Sequence, residues 1–557
     1  MFTPNNEHRQ KSLFSNEQSL SDKMKKRLNN SWAELFYTDI FCKIDESIFT
    51  PIYCENNGRP NFPINILVGL EILKELHNHT DEILYDRFLF DMLYQHALGI
   101  ENIDEYDFSI RTLYNFRSAL SSYDQNNNTN LMKSVFENLR DDAIEKCNIN
   151  TSIQRADTVM IQANIKQMSR LMLFHKVMTN LVKQLQTLGM HVEKSILELT
   201  KVDENHIAYR ISKEDVHETI KQLGGVILRL TETYKSSPKV VETKAYQDAI
   251  RLLSEQCNIK KLKSTKLVTL KEPKDINSGS MQNPADGDAT YRKKRDEEYK
   301  GYVTFASETC TPENEIQIVT DVETFKNNVD DTKIGVSQIP NIKEMIGLET
   351  IIIDGGFPSD ELTNISNIEN KEFDFIATAI RGRKPNKNKT VGIDQFKLND
   401  IGLIEKCPNG HKPIKQDLKD DILKANFDRK ICNECPMKKN CVAYISEKSC
   451  KIKITKHARW LNERRLKMND NEYIELCKLR SAVEGLMDKL KPKSRDGRTS
   501  FRGIEKVSNR MILKAIGINF KRISAYKRKK LVGFIGFLLK HIKYSLKYHF
   551  QTTDCHI

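Results

Sequence analysis

The chain has 557 residues, 39% hydrophobic and 29% charged, with only 23 Gly and 15 Pro, which excludes a disordered or collagen-like polypeptide. No apolar run approaches the ~20 residues that cross a bilayer, and Met1 to Arg27 lacks a secretory pattern, so an intracellular chain of about three or four domains is expected. Lys plus Arg exceed Asp plus Glu, 88 against 75, and Gly485 to Phe550 alone carries 18 basic residues against three acids, the footprint of a nucleic-acid partner.

Residues 1 to about 140 read as helical. Pro63 to Leu73 is apolar at helical spacing, Thr80-Asp81-Glu82 starts a second helix, and Ser109 opens a third that carries Phe116 and Arg117. Thr151 to Ile161 alternates as a strand. An excursion follows, whose apolar residues at 171, 174, 178, 181, 185 and 188 predict a long helix or helical hairpin. Ser264 to Lys300 reads as a polar loop. Strands are then expected at Gly301 to Thr309, Glu315 to Thr320, Thr350 to Ile353 and Phe373 to Ile380, with a helix from Lys333 to Gly347 capped by Asp331. Residues 381 to 460 look irregular, and the chain closes in basic, amphipathic helices. Strands mixed with helices predict an α/β core.

Three carboxylates stand out. Asp157 lies inside an apolar strand, where a charge is costly unless it faces a site. Asp354 ends the run Ile351-Ile352-Ile353 and precedes Gly355-Gly356, a strand end at which a ligand can approach the backbone. Asn471 to Leu490 reads as one helix stopped by Pro492, with Cys477, Arg480, Glu484 and Asp488 on one face. Taken singly, each has a plain structural reading, as a turn former or an Arg–Glu pair on a helix surface. Together they are the oxygen donors that two Mg²⁺ (or Mn²⁺) ions need for in-line phosphoryl displacement.

These residues stand in an order that resembles the DDE-type transposases of bacterial insertion sequences, in the branch whose last catalytic helix reads Y-x2-R-x3-E-x6-K. Arg480, Glu484 and Lys491 hold that spacing, with Cys477 in place of Tyr. Asp157-Thr158 with Ile161-Gln162-Ala163-Asn164, Asn328-Val329-Asp330-Asp331 and Asp354-Gly355-Gly356-Phe357 resemble the other core motifs. Gly58-Arg59-Pro60 and Thr112-Leu113-x-x-Phe116-Arg117 resemble the N-terminal domain, and Arg502 to Val507 with Asn519-Phe520-Lys521-Arg522 the C-terminal signature.

The resemblance implies a mixed α/β, RNase H-like core with Asp157, Asp354 and Glu484 as the metal-binding triad. It implies DNA or phosphate contacts from Arg480, Lys491, Arg502, Lys521 and Arg522. The expected partners are the terminal inverted repeats of the element and target DNA, bound by a homodimer, with no membrane, in the prokaryotic cytoplasm at the nucleoid. The rival readings are a catalytically inactive descendant that only binds DNA, and a nuclease of similar core that cuts without joining.

The spacing Cys432-x2-Cys435-x5-Cys441, with Cys407 upstream, suits a closed structural Zn²⁺ site, in which His411 or Cys450 could replace one thiol. The remaining cysteines are scattered. The chain thus divides into a helical DNA-binding domain (1–140), the first part of the core (141–165) and a helical insertion with a polar loop (166–299). The second part of the core (300–380), a Cys-rich insertion (381–465), the catalytic helix with the end of the core (466–525) and a basic tail (526–557) complete it.

Overall fold

The computed structural model describes residues 2–553 apart from 10–14, 55–59, 103–105, 107, 204–206, 208, 210, 263–264, 295, 369–371, 381–394, 420–421, 447–449, 456–463, 466 and 495. Gly58 and Arg59, singled out above, lie outside the described residues, as does Cys555, one of the scattered cysteines.

The N-terminal region is helical, as its capping residues dictate. Thr80 accepts from the Ile83 amide to start the helix Asp81–Phe90, and Ser109 accepts from Arg111 to start Ile110–Asn127. The central helix, Ile64–His77, is buried along its whole length to Leu76, charges included. Those charges are paired: Arg117 donates to Glu71 at 2.7 Å, Lys74 meets Asp81 at 2.6 Å, and Arg510 donates to Glu75 at 3.1 Å. Phe501 supplies a ring that Lys74, Arg117 and Arg510 approach at 4.7, 5.4 and 5.7 Å. The C-terminal helix Ile504–Thr553 packs on this assembly, so the N-terminal helices, the start of that helix and Val159 and Ile161 of the central sheet share one apolar core.

Strand β1 (Ile153–Gln162) is the spine of the sheet. The insertion after it begins with the helix Arg170–Thr187, which buries Leu171, Phe174, Met178, Leu181 and Leu185 at the expected spacing against a core of its own. It closes in a hairpin of β2 (Cys257–Leu262) and β3 (Thr265–Leu270). A second hairpin, β4 (Thr290–Lys294) and β5 (Glu297–Thr309), returns to the main sheet, followed by β6 (Val319–Lys326), β7 (Thr350–Ile353) and β8 (Asp374–Ala377). The order is β4-β5-β1-β7-β8, with β6 also on β5. The β5 pairings with β1, β4 and β6 are antiparallel, while β1, β7 and β8 run parallel.

Several expectations need correction. The stretch read as a loop from Ser264 holds β3, β4 and the start of β5, because ladder bonds and Thr/Tyr positions outweigh its Lys-rich polarity. The strand expected at Glu315 to Thr320 starts at Val319 and runs on to Lys326; Ile316 and Ile318 alternate with polar residues but fill a small cluster beside Ala143, Ile149 and Ile523. Asp331 is not the cap of the helix Asp331–Ile346. Asp330 precedes the first turn, while the Asp331 carboxylate meets Arg292 and the Thr158 hydroxyl at 3.3 Å. The Cys-rich region is not wholly irregular. Its β9 (Lys397–Leu398) and β10 (Ile404–Lys406) form a pair. Its β11 (Lys415–Lys419), β12 (Ile422–Phe427), β13 (Tyr444–Ile445) and β14 (Cys450–Ile454) form a small antiparallel sheet ordered β11-β12-β14-β13.

Candidate active site

Parallel pairing sets Arg155 of β1 against Ile352 of β7. Asp157 lies two residues further along β1, and Asp354 is the first residue past the end of β7, so the two carboxylates leave the same end of the parallel pair. Gly355 is required there: a Cβ on it would sit 2.6 Å from the carbonyl oxygen of Ala379. Asp157 is largely buried and accepts from the Thr158 amide at 2.7 Å, while the Asp354 side chain is half exposed at 51%.

The segment Asn471 to Leu490 is helical throughout, as expected, but its winding tightens in the middle. Asn471–Leu479 passes into a tighter turn at Arg480–Ala482 before Val483–Leu490 begins. From the start of that turn the Arg480 guanidinium, 16% exposed, reaches to 2.5 Å from Asp157 Oδ2 and 4.0 Å from Asp354 Oδ1. The Nε of Arg480 is buried with no hydrogen-bond partner among the described residues. Burial pushes the Asp157 carboxyl above its ordinary range and Asp354 adds to the rise. Arg480, the Thr158 amide and Lys294 pull the other way. Lys294, at the end of β4, is a cation of the site that the sequence motifs do not flag.

Glu484 sits on the helix Val483–Leu490, which buries Val483, Leu486, Met487 and Leu490 and leaves Glu484 exposed. Among the described residues no three His, Cys, Asp or Glu side chains gather into a group that could hold a metal. The structure therefore brings Arg480, Asp157 and Asp354 together and does not bring Glu484 into the same cluster. The pair itself fits a cation, since a guanidinium already seats between the two carboxylates.

The other basic positions differ in their surroundings. Lys491 and Arg502 are exposed, and Arg502 Nε donates to the Asn164 carbonyl at 2.8 Å. Lys521 donates to the Leu76 carbonyl at 2.6 Å, at the end of the buried N-terminal helix. Arg522 donates to the fully buried Glu308 at 2.6 Å.

Cys477 packs half-buried beside Ile352 and Ile376. One turn earlier stands an aromatic that the motif reading passes over. The Tyr473 hydroxyl accepts from the Ala377 amide at 2.7 Å and donates to the Ala377 carbonyl at 2.8 Å, which docks the helix on β8. A period-aware reading could have flagged Tyr473, since it shares a helical face with Cys477 and Arg480.

In the Cys-rich sheet, Cys407, Cys432, Cys435, Cys441 and His411 line one pocket. Burial pushes the Cys432 thiol up to about 12, with Cys450, Cys407 and Cys435 adding to the rise. Every described cysteine is free.

Residues 22–119 match the model of a family described as Transposase domain (DUF772), and residues 406–524 that of a family described as Transposase DDE domain. The first covers the N-terminal helices. The second covers the Cys-rich sheet, Arg480, Glu484 and the start of the last helix, but not Asp157 or Asp354. No curated protein and no solved structure matches the chain. No helix among the described residues is long and apolar enough to cross a membrane.

Proposed function

We infer, for a chain that its two matched segments mark as a DDE-type transposase of the insertion-sequence kind, that Asp157 and Asp354 hold the divalent cations of strand cleavage and strand transfer. The observation that carries this reading is the convergence of Asp157 of β1 and Asp354, just past the end of the parallel strand β7, on one cationic group. Two Mg²⁺ ions in such a site supply an activated nucleophile and a stabilised leaving oxygen. We further propose that the β4-β5-β1-β7-β8 sheet is an RNase H-like core, which its antiparallel and parallel halves favour. We propose Glu484, one turn beyond Arg480 on the same helical segment and exposed, as the third ligand.

The protein's own groups divide the remaining work. Arg480 neutralises the carboxylates at rest and would contact a phosphate oxygen once a metal ion displaces it from them. Lys491 and Arg502 are exposed for backbone contacts with the terminal inverted repeats or target DNA. Placement on the Y-R-E-K branch, a homodimer on DNA and a nucleoid location follow from the same reading. For the Cys-rich sheet we propose a structural Zn²⁺ on Cys407, Cys432, Cys435 and Cys441; the four thiols line one pocket without closing on a common point, so the ion would draw them together.

The test is cleavage of a duplex carrying an element end. Asp157→Asn and Asp354→Asn should each abolish Mg²⁺-dependent cutting while end binding persists. Wild-type cutting by either variant ends the reading. Nicking without joining by the wild type would favour the nuclease alternative.

A further inference from the structure

Arg155 and Asp157 lie two apart on β1, so both side chains leave the same face of the strand. Arg155 is buried, and it is divided between two partners. Its Nε donates to Glu308 Oε1 at 2.7 Å, directly across the β1–β5 ladder, and its Nη1 donates to the Leu479 carbonyl at 2.6 Å. The other oxygen of Glu308 accepts from Arg522 Nη2 at 2.6 Å, and Arg522 Nη1 donates to the Gln317 carbonyl at 3.1 Å. Glu308 is fully buried.

Leu479 is the last residue of the helix Asn471–Leu479, and Arg480 is the first of the tighter turn. The Leu479 carbonyl opens the tighter turn Arg480–Ala482 as its cap. Arg155 adds a second, charged donor to it from the sheet, at the residue before the chain changes its winding and carries the Arg480 side chain to Asp157. The line Arg522–Glu308–Arg155–Leu479 thus connects the C-terminal helix to the carboxylate site through buried, charge-assisted bonds.

We propose that Arg155 is a positioning residue of the carboxylate site, acting through the Leu479 carbonyl on Arg480. This rests on the reading of Asp157 and Asp354 as cation ligands. A plain structural role predicts only a buried Arg–Glu–Arg triad that stabilises the fold or is neutral to it. A positioning role predicts more: loosening Arg155 releases Arg480 from Asp157 and frees the carboxylates for a metal cation.

The experiment is a Mn²⁺ titration of the full chain without DNA, read by electron paramagnetic resonance, so that catalysis does not enter. Arg480→Ala should tighten Mn²⁺ binding about tenfold, the scale of one charge-assisted hydrogen bond. Arg155→Lys keeps a positive charge against Glu308 but loses the fork that reaches two acceptors, and should tighten binding about threefold. The double variant should bind as Arg480→Ala alone does, because both changes act on one group.

Effects that multiply in the double variant, or an unchanged affinity in Arg155→Lys, overturn the proposal. If Arg155→Lys does not fold, Glu308→Gln weakens the same hold with little change of shape and is subject to the same two criteria. Asp157→Asn and Asp354→Asn form the control arm. If they bind Mn²⁺ as the wild type does, the carboxylate reading fails by itself; if they lose binding while Arg155→Lys changes nothing, only the positioning role fails.

Discussion

Arg480 and Asp157 lie 323 residues apart in the chain and 2.5 Å apart in the fold. The contact places a permanent cation where a metal cation would bind. Removing it should have opposite consequences with and without divalent metal. In chelator, Arg480→Ala leaves the Asp157 carboxylate buried without its main partner, which costs about 1–3 kcal/mol of stability. In Mg²⁺ the vacated carboxylates bind more tightly, and bound ligand stabilises by mass action. Thermal melting in EDTA and in Mg²⁺ should show a lower Tm for the variant in EDTA and a larger Mg²⁺-induced rise than in the wild type. Equal rises would mean that Arg480 does not compete for the site.

Arg117 carries a different expectation from the one its motif suggests. It resembles part of a DNA-binding helix, yet its guanidinium is turned inward onto Glu71 and Asp81 beneath the Phe501 ring. Burial pushes the Glu71 carboxyl up, against Arg117 and Lys74, which pull it down. Arg117→Ala leaves that carboxylate without its nearest partner in the core, a loss of about 3–5 kcal/mol. Urea unfolding should show the loss as a lower midpoint, while the folded fraction binds end DNA with little change in affinity. A variant of wild-type stability with weakened DNA binding would reverse the assignment.

The contrast between Arg117 and Asp157 shows what the sequence reveals and what it hides. Helix starts at Thr80 and Ser109, the spine strand β1 and the run before Asp354 were readable because caps and apolar patterns are local signals. Most of β5 is legible as the strand Gly301 to Thr309, but β4 and the first residues of β5 read as loop because they are charged at the exposed end, and the pairing that stabilises them is not local. The tightened turn after Leu479 is also invisible, since the residues on both sides favour a helix and Arg155, far away on β1, donates to the carbonyl where it begins. Basic residues were counted as phosphate contacts because sequence reports charge but not burial. Arg522 is turned onto the buried Glu308, whereas Lys521, although it donates to the Leu76 carbonyl, stays exposed, as Lys491 and Arg502 do.

Lys514 should give the protein an unusual alkaline response. Its ammonium is buried and donates to the Leu490 and Lys491 carbonyls at 3.1 and 2.8 Å, closing the end of the helix that carries Glu484. Burial lowers its pKa from 10.5 to about 8, with Glu75 opposing. Between those values the unfolded chain holds a proton that the folded chain has released. Stability from this group therefore rises with pH from about 8 to 10.5, by about 3 kcal/mol. Equivalently, the contribution is lost as pH falls through 8. Lys514→Met cannot titrate, so the stability difference between wild type and variant should grow in favour of the wild type across that window. A difference that is flat with pH would show that Lys514 titrates normally.

Tyr473 docks the helix that leads to Arg480 by returning both hydrogen bonds of Ala377 on β8. Ala377 pairs with Ile353, the residue before Asp354. One hydroxyl therefore joins the helix bearing the cation to the strand layer bearing the carboxylate. Tyr473→Phe keeps the ring and its apolar packing but leaves a buried amide and a buried carbonyl unpaired, at a cost of about 1–3 kcal/mol. Because the helix and the strand end are coupled at this point, metal-dependent cleavage should fall about tenfold under conditions where circular dichroism shows the variant folded. Tyr473→Leu, which also removes the ring, should unfold at lower urea than Tyr473→Phe because a cavity adds to the lost bonds. If Tyr473→Phe matches the wild type in both urea midpoint and cleavage rate, the hydroxyl bridge does not hold the helix in place, and the alignment of Arg480 must come from the Leu479 carbonyl alone.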